Sequence, residues 1–240
     1  MKKALLLSAV VILLLGSCGP RSLSGQFETV EKGIERSYET VSIKGNIDVE
    51  VVDEANIMTV TGDSNLLKLV KIKVTKKEVK IVATAPLLRK ADSPRVMVSL
   101  PFGPGLKELK MDGTSSFHFP KSDIGPNLTI DTKGSNYVYA VMAMENLYIK
   151  ANGSDKIIVD CVCDYADIDA KGSCVIASEK GPICADNLKI FISGTSVAYV
   201  EAPGKTFGAA EGESRIYLRG DHDYSKLKAK DKAKVIPYDI

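Results

Sequence analysis

From residue 106 onward, apolar and polar positions alternate in short runs, and glycine punctuates the runs at a near-constant interval. Aligned on Gly113, Gly134, Gly153, Gly172, Gly194 and Gly212, the intervals are 21, 19, 19, 22 and 18 residues. Four and two positions before each glycine stand Leu109 and Met111, Ile130 and Thr132, Ile149 and Ala151, Ile168 and Ala170, Ile190 and Ile192, then Gly208 and Ala210. Four and six positions after it stand Phe117 and Phe119, Val138 and Ala140, Ile157 and Val159, Ile176 and Ser178, Ala198 and Val200, then Ile216 and Leu218. A period of two on both sides of a glycine predicts strand, turn, strand. One such unit has no second layer to bury its apolar side. Coiling the chain so that equivalent strands stack about 4.8 Å apart buries them all together. The expectation is an all-β protein whose residues 106–220 form a β-solenoid of about 20 residues per rung.

Two further columns fit that register. Three positions before the glycines, Lys110, Asp131, Lys150 and Asp169 alternate in sign, which sets unlike charges side by side between neighbouring rungs. Thr114, Ser135, Ser154, Ser173 and Thr195 follow the glycines directly, and Glu213 follows the sixth. Glycine tolerates a left-handed corner and hydroxyls satisfy turn amides, so this row reads as turn chemistry.

Residues 36–105 are patterned differently. Short candidate strands at 40–43, 47–52, 57–61, 69–74, 78–82 and 95–100 predict an N-terminal β region packed on the first rung as its cap. Only residues 64–69 suit a helical turn. At the other end, residues 221–240 carry Lys226, Lys228, Lys230, Lys232 and Lys234. Their spacing of two predicts one lysine-bearing face of an edge strand, blunted against pairing.

The first residues belong to no fold. Lys2 and Lys3 precede an apolar run over 4–15 that ends in Leu15-Gly16-Ser17-Cys18. The run is shorter than the roughly 20 residues a spanning helix needs, and fits a secretory signal over 1–17. The closing residues look like a bacterial lipobox, with Cys18 as the lipid-attachment residue and 18–35 as a tether. Removing two lysines takes the formal net charge of +2 to zero. A neutral body, 45% apolar and only 6% aromatic, argues against nucleic acid as partner, because phosphate binding needs clustered excess cations.

The residues 38–51 (Tyr38-Glu39-Thr40-Val41-Ser42-Ile43-Lys44-Gly45-Asn46-Ile47-Asp48-Val49-Glu50-Val51), then Val60-Thr61-Gly62-Asp63-Ser64-Asn65-Leu66-Leu67, then Val96-Met97-Val98-Ser99-Leu100-Pro101 running into the glycine repeats, resemble the "putative auto-transporter adhesin, head GIN domain" family of Bacteroidetes envelope proteins. The resemblance covers about 36–220. It implies a right-handed parallel β-helix attached to the cell envelope and brings no catalytic residues or cofactor. It departs in one respect: beside the repeats no stretch is left for an outer-membrane barrel. Surface-displayed lipoproteins of that group carry acids after the lipidated cysteine. Here Gly19-Pro20-Arg21-Ser22-Leu23 follows, so the periplasmic face of the outer membrane is expected.

Candidate chemistry is sparse. Five positions after each glycine, facing outward, stand His118, Tyr139, Ile158, Ala177, Tyr199 and Tyr217, and Tyr137 lies two before Tyr139. So apolar an outward face marks an interface for a glycan, a protein or a second copy, unless the C-terminal strand or a loop covers it. Asp164, Asp167 and Asp169, near Asp155 and Asp160, are the nearest approach to an acidic cluster and support the alternative of a polysaccharide lyase or hydrolase. Cys161, Cys163, Cys174 and Cys184 remain beyond Cys18. Cys163 and Cys184 lie 21 residues apart, close to one rung, so a disulfide, free thiols and a metal site all stay open. Cys-x-Cys lacks the wider gap of zinc sites. Asp221-His222-Asp223 reads as a solvated turn, and no hydrolase, metalloprotease, P-loop or dinucleotide fingerprint is present.

Overall fold

The computed structural model describes residues 23–53, 56–84, 95–122, 125–220 and 223–238. The signal segment and Cys18 lie outside the described residues. The first elements are β1 (Phe27–Gly33), β2 (Thr40–Gly45), β3 (Ile47–Val52), β4 (Ile57–Asp63), a single helical turn α1 (Ser64–Leu67), β5 (Val70–Val74), β6 (Glu78–Ala83) and β7 (Val96–Pro101). The coil then runs through β8 (Glu108–Gly113), β9 (Ser116–Ser122), β10 (Asn127–Gly134), β11 (Tyr137–Gly153), β12 (Lys156–Gly172) and β13 (Val175–Ile176). It ends with β14 (Ile183–Gly194), β15 (Val197–Glu201), β16 (Thr206–Ala210), β17 (Arg215–Arg219), β18 (Leu227–Ala229) and β19 (Lys234–Tyr238).

The fold is a β-solenoid, and its register is glycine on glycine. Gly113, Gly134, Gly153, Gly172 and Gly194 are paired in succession across parallel strands. Leu109, Ile130, Ile149, Ile168 and Ile190 form one buried row in the same ladder. The corner explains the glycine. Gly134 has φ +125°, and a Cβ there would run into the carbonyl of Gly113. That carbonyl accepts the Ser135 amide at 2.8 Å, so it cannot move aside cheaply. The same bond recurs from Thr114, Ser154, Ser173, Thr195 and Glu213 to the glycine one rung earlier. The row after the glycines therefore works through its backbone amides.

The charge column keeps its register, with Asp131 opposite both Lys110 and Lys150. The ion pairs themselves form within strands: Lys110 reaches Glu108 at 2.8 Å, and Lys171 reaches Asp169 at 3.2 Å. Unlike neighbours along a strand compete with those across it, and exposed pairs are weak enough for either to win.

The N-terminal region is more than a cap. β2 lies between β6 and β8, and β3 between β7 and β9, all parallel, with Gly45 in line with Gly113. The spatial order of rungs is thus β6 with β7, then β2 with β3, then β8 with β9. The chain lays down its second rung first, goes out to build the end, and then steps over it. Capping falls to antiparallel strands: β5 on β6, β4 on β7, and β1 on β4. Part of the expected tether is thereby corrected. Phe27–Gly33 is a strand, exposed along its whole length, that completes its backbone bonds on one side against β4.

At the other end, β18 and β19 stack in parallel on β16 and β17 as one more rung. Asp231, at φ 61°, takes the corner place that glycine holds elsewhere. That corner corrects the single lysine face, because the chain turns between Lys230 and Lys232. Those two lysines pair with Glu211 and Glu213, at 2.6 and 3.0 Å.

Candidate functional site

The outward tyrosines divide into two groups. His118 on β9 and Tyr139 on β11 are neighbours in register, with ring centroids 4.9 Å apart. Tyr137 lies beside them under the Lys156 ammonium, 5.8 Å from the ring centre. His118 Nδ1 is 3.9 Å from Glu50 Oε1. Tyr199 and Tyr217 form the second group, stacked at 4.8 Å and 9°, with Tyr238 edge-on to both. The gap between the groups has a backbone cause. At Ala177, φ 60°, the chain leaves the rung, closes a turn through Ser178 and Gly181, and rejoins at Ile183 opposite Cys161. That detour accounts for the long 172-to-194 interval, and it takes Ser178 out of the interior row.

The two groups are chemically unlike. Tyr199 and Tyr217 spend their ring faces on each other, and Tyr238 seals their edge with its hydroxyl buried. Burial, with Tyr217 and Glu179 nearby, raises the Tyr199 phenol above its ordinary range. The Tyr137 group stays open. Tyr137 is 40% exposed and Val162 61%. Between them in the same ladder lie Tyr139 opposite Ile158 and Val141 opposite Asp160. Solvent-facing sheet positions are normally polar, so this run of outward apolar side chains stands apart from the rest of the sheet surface.

The carboxylates are dispersed. Asp167 is taken by Lys189 at 2.7 Å and Asp169 by Lys171 at 3.2 Å, while Asp164 is exposed at the bend of β12. Among the described residues, no group of three His, Cys, Asp or Glu side chains is placed to hold a metal ion. His222 lies outside the described residues.

The bridge read from the 21-residue spacing does not form: Cys163 and Cys184 are free. The detour at Ala177 shifts the register so that Val162, not Cys163, faces Cys184. One residue of slip moves a side chain to the other side of a sheet. Cys184 instead meets Glu201 and Arg219, and burial followed by the Glu201 charge pushes its thiol up to about 11. Cys161 and Cys163 point inward together, and the hydrogen bond between them, with burial, drives the Cys161 thiol far above the usual range.

One feature escaped the sequence reading. Two places after the glycines, Ser115, Asn136, Asp155, Cys174, Ser196 and Ser214 form a buried polar column along the corner. Its members accept amides from the preceding rung: Ser115 N–H to Asn136 Oδ1 at 3.1 Å, Asn136 N–H to Asp155 Oδ1 at 2.7 Å, and Cys174 N–H to Ser196 Oγ at 3.2 Å. The signal was present, as small polar residues at a constant offset from glycine.

Residues 37–221 match the family described as "Putative auto-transporter adhesin, head GIN domain". The chain belongs to this family. Solved structures agree on the fold. A protein named a "putative adhesin" from Bacteroides fragilis NCTC 9343 superposes with TM-score 0.72 at 16% identity, covering 90% of this chain and 98% of that one. One named a "putative lipid binding protein" from Parabacteroides distasonis ATCC 8503 gives 0.63 at 20% identity, covering 90% and 98%. A "putative adhesin" from Parabacteroides merdae ATCC 43184 gives 0.58 at 18% identity, covering 90% and 97%. No curated protein matches the chain. The head GIN family and these neighbours are named for adhesion or lipid binding, and none for an enzymatic reaction.

Proposed function

We propose that this head GIN protein is a non-catalytic binding module, lipidated at Cys18 and held at the periplasmic face of the outer membrane. Its contact surface is the open group around Tyr137 and Tyr139, and its partner is a protein surface. The observation that carries this is the apolar ladder of Tyr137, Tyr139, Ile158 and Val162 on the outward side of a regular sheet. His118, Glu50 and Lys156 supply a polar rim, which is the anatomy of a protein interface. The stacked Tyr199 and Tyr217 are structural in this reading, since their rings already have partners.

Replacing Tyr137 and Tyr139 with serine tests the surface. Aromatic anchors of interfaces typically contribute about 2 kcal/mol or more, or roughly thirtyfold in affinity. The double variant should keep its unfolding midpoint and lose capture of envelope proteins by that factor. Self-association, read by sedimentation velocity, should fall likewise if the partner is a second copy. Unchanged capture and unchanged sedimentation would refute the surface. Incorporation of labelled fatty acid into the wild type and not into Cys18→Ala tests the anchor. Protection from protease added to intact cells tests the leaflet.

A further inference from the structure

The end of the solenoid next to the anchor carries the most exposed apolar side chains. Leu23, Phe27, Val30, Ile57 and Met97 are five of the nine large apolar residues exposed among the described residues, and Phe27 is 62% exposed. All lie on or beside β1, its partner β4, and β7, which pairs with β4. Phe27 shares one face with Asp63 and Thr29 shares it with Thr61, while Val30, opposite Val60, projects from the other face. β1 is therefore a rim, with both faces and one edge meeting solvent.

The chain reaches this rim almost directly from Cys18. Ser24 Oγ donates to Asp63 Oδ2 at 2.8 Å and the Gly25 amide donates to the same oxygen at 2.9 Å. Ser64 N–H then closes on the Gln26 carbonyl at 2.9 Å. Asp63 is itself buried and caps α1. The fold thus takes hold of the chain at Ser24, six residues after Cys18, a reach of about 20 Å even fully extended. A lipid on Cys18 keeps this end, and no other, within contact of the bilayer.

Charge points the same way. Lys68, Lys71, Lys73, Lys76 and Lys77 lie on or next to β5, the other edge strand of this end, and none makes an ion pair among the described residues. Lys32 on β1 touches the Ile72 carbonyl at 3.4 Å, which places the two edges side by side. Glu28 and Glu31 also lie on β1, outnumbered by these six lysines. Exposed apolar side chains on one edge strand and lysines on the other are the chemistry of an anionic bilayer surface, each lysine adding about fivefold to binding.

We infer that the β1–β4 end docks on an anionic phospholipid bilayer, with Phe27 and Val30 entering the interface and the lysines of β5 on the headgroups. This rests on the reading of Cys18 as lipidated. The protein has no tryptophan, so a single one reports position. The full lipidated chain carrying Phe27→Trp, or Phe207→Trp near the far end, is reconstituted in anionic phospholipid vesicles containing brominated acyl chains.

The inference expects both proteins to float with the vesicles, Phe27→Trp to shift blue and lose most of its emission, and Phe207→Trp to keep its own. Val30→Trp repeats the test should Phe27→Trp fold poorly. Flotation with an unquenched Phe27→Trp overturns the docking and leaves the anchor standing. Loss of flotation overturns the anchor, and the docking with it. A blue shift without quenching, in a protein that sediments as a dimer, assigns the rim to a second copy and overturns the bilayer.

Discussion

Asn136 and Asp155 are joined twice across one corner of the solenoid. The Asn136 backbone amide and its Nδ2 both reach Asp155 Oδ1, at 2.7 and 2.9 Å, in a site closed to water. The same Nδ2 also donates to the Lys133 carbonyl three residues back, at 3.0 Å. Asp155 Oδ2 makes no bond within the described residues.

Asp155→Asn therefore keeps stability, because an amide oxygen accepts both bonds and its NH2 can copy the reach of Asn136 to the carbonyl three residues back. Asp155→Ala strands two buried donors and should cost about 2–4 kcal/mol. Equilibrium unfolding in urea separates the two. No loss for Asp155→Ala would mean that the column does not stabilise the fold.

Gly134→Ala should be among the most damaging small changes in the protein. It combines a left-handed residue with a Cβ against the Gly113 carbonyl. Backbone strain alone costs about 1–3 kcal/mol, and displacing the rung below adds to it. A fall in melting temperature as small as that of an exposed helix Gly→Ala would contradict the stacked corner.

Cys184 should label slowly with iodoacetamide, and its rate should keep climbing as the pH approaches about 11. An unperturbed thiol levels off above its pKa of about 8.5. Glu201→Gln removes a charge that opposes the thiolate and should bring the plateau to lower pH. Cys161 and Cys174, both buried, should label only on unfolding. A plateau near 8.5 in the wild type would contradict this environment.

The Asp63 clamp should open in acid. Burial pushes this carboxyl up, but the Ser24 hydroxyl and the Asn65 and Gly25 amides together hold it below its usual value. A folded pKa below the unfolded one means that the contribution is complete above about pH 4 and is lost as pH falls through the folded value. Hydrogen exchange at Gly25 should accelerate in that window before the solenoid unfolds. Asp63→Ala should show the faster exchange at neutral pH. Exchange at Gly25 that tracks global unfolding in both proteins would contradict a separate clamp.

The solenoid from Gly113 to Gly212, its inward rows and its polar–apolar faces were legible in the sequence, because each depends on one short offset from a glycine. The antiparallel end was not. Gly45 stands in the same column as Gly113, yet the chain between them builds β4 to β7 first, so no fixed interval connects the two. A Cys163–Cys184 bridge, one of the alternatives the spacing left open, is absent for a related reason. A detour after Ala177 changed the register by one place, and in a strand one place is the whole difference between inside and outside.

By itself the sequence determined the repeat, the fold class and most of the outward residues, since period-two alternation is a local property of the chain, but Ala177, read as outward, is buried where the chain leaves the rung. Tertiary structure alone decided which of those residues remained free. Tyr199 and Tyr217 are closed by Tyr238, contributed by a later rung, while Tyr137 and Tyr139 are left open. It also decided that Ser24 is fixed to the fold, because Asp63 is distant in sequence and is brought to it only by the pairing of β1 with β4. Burial and long-range hydrogen bonding are set by neighbours that no local pattern names.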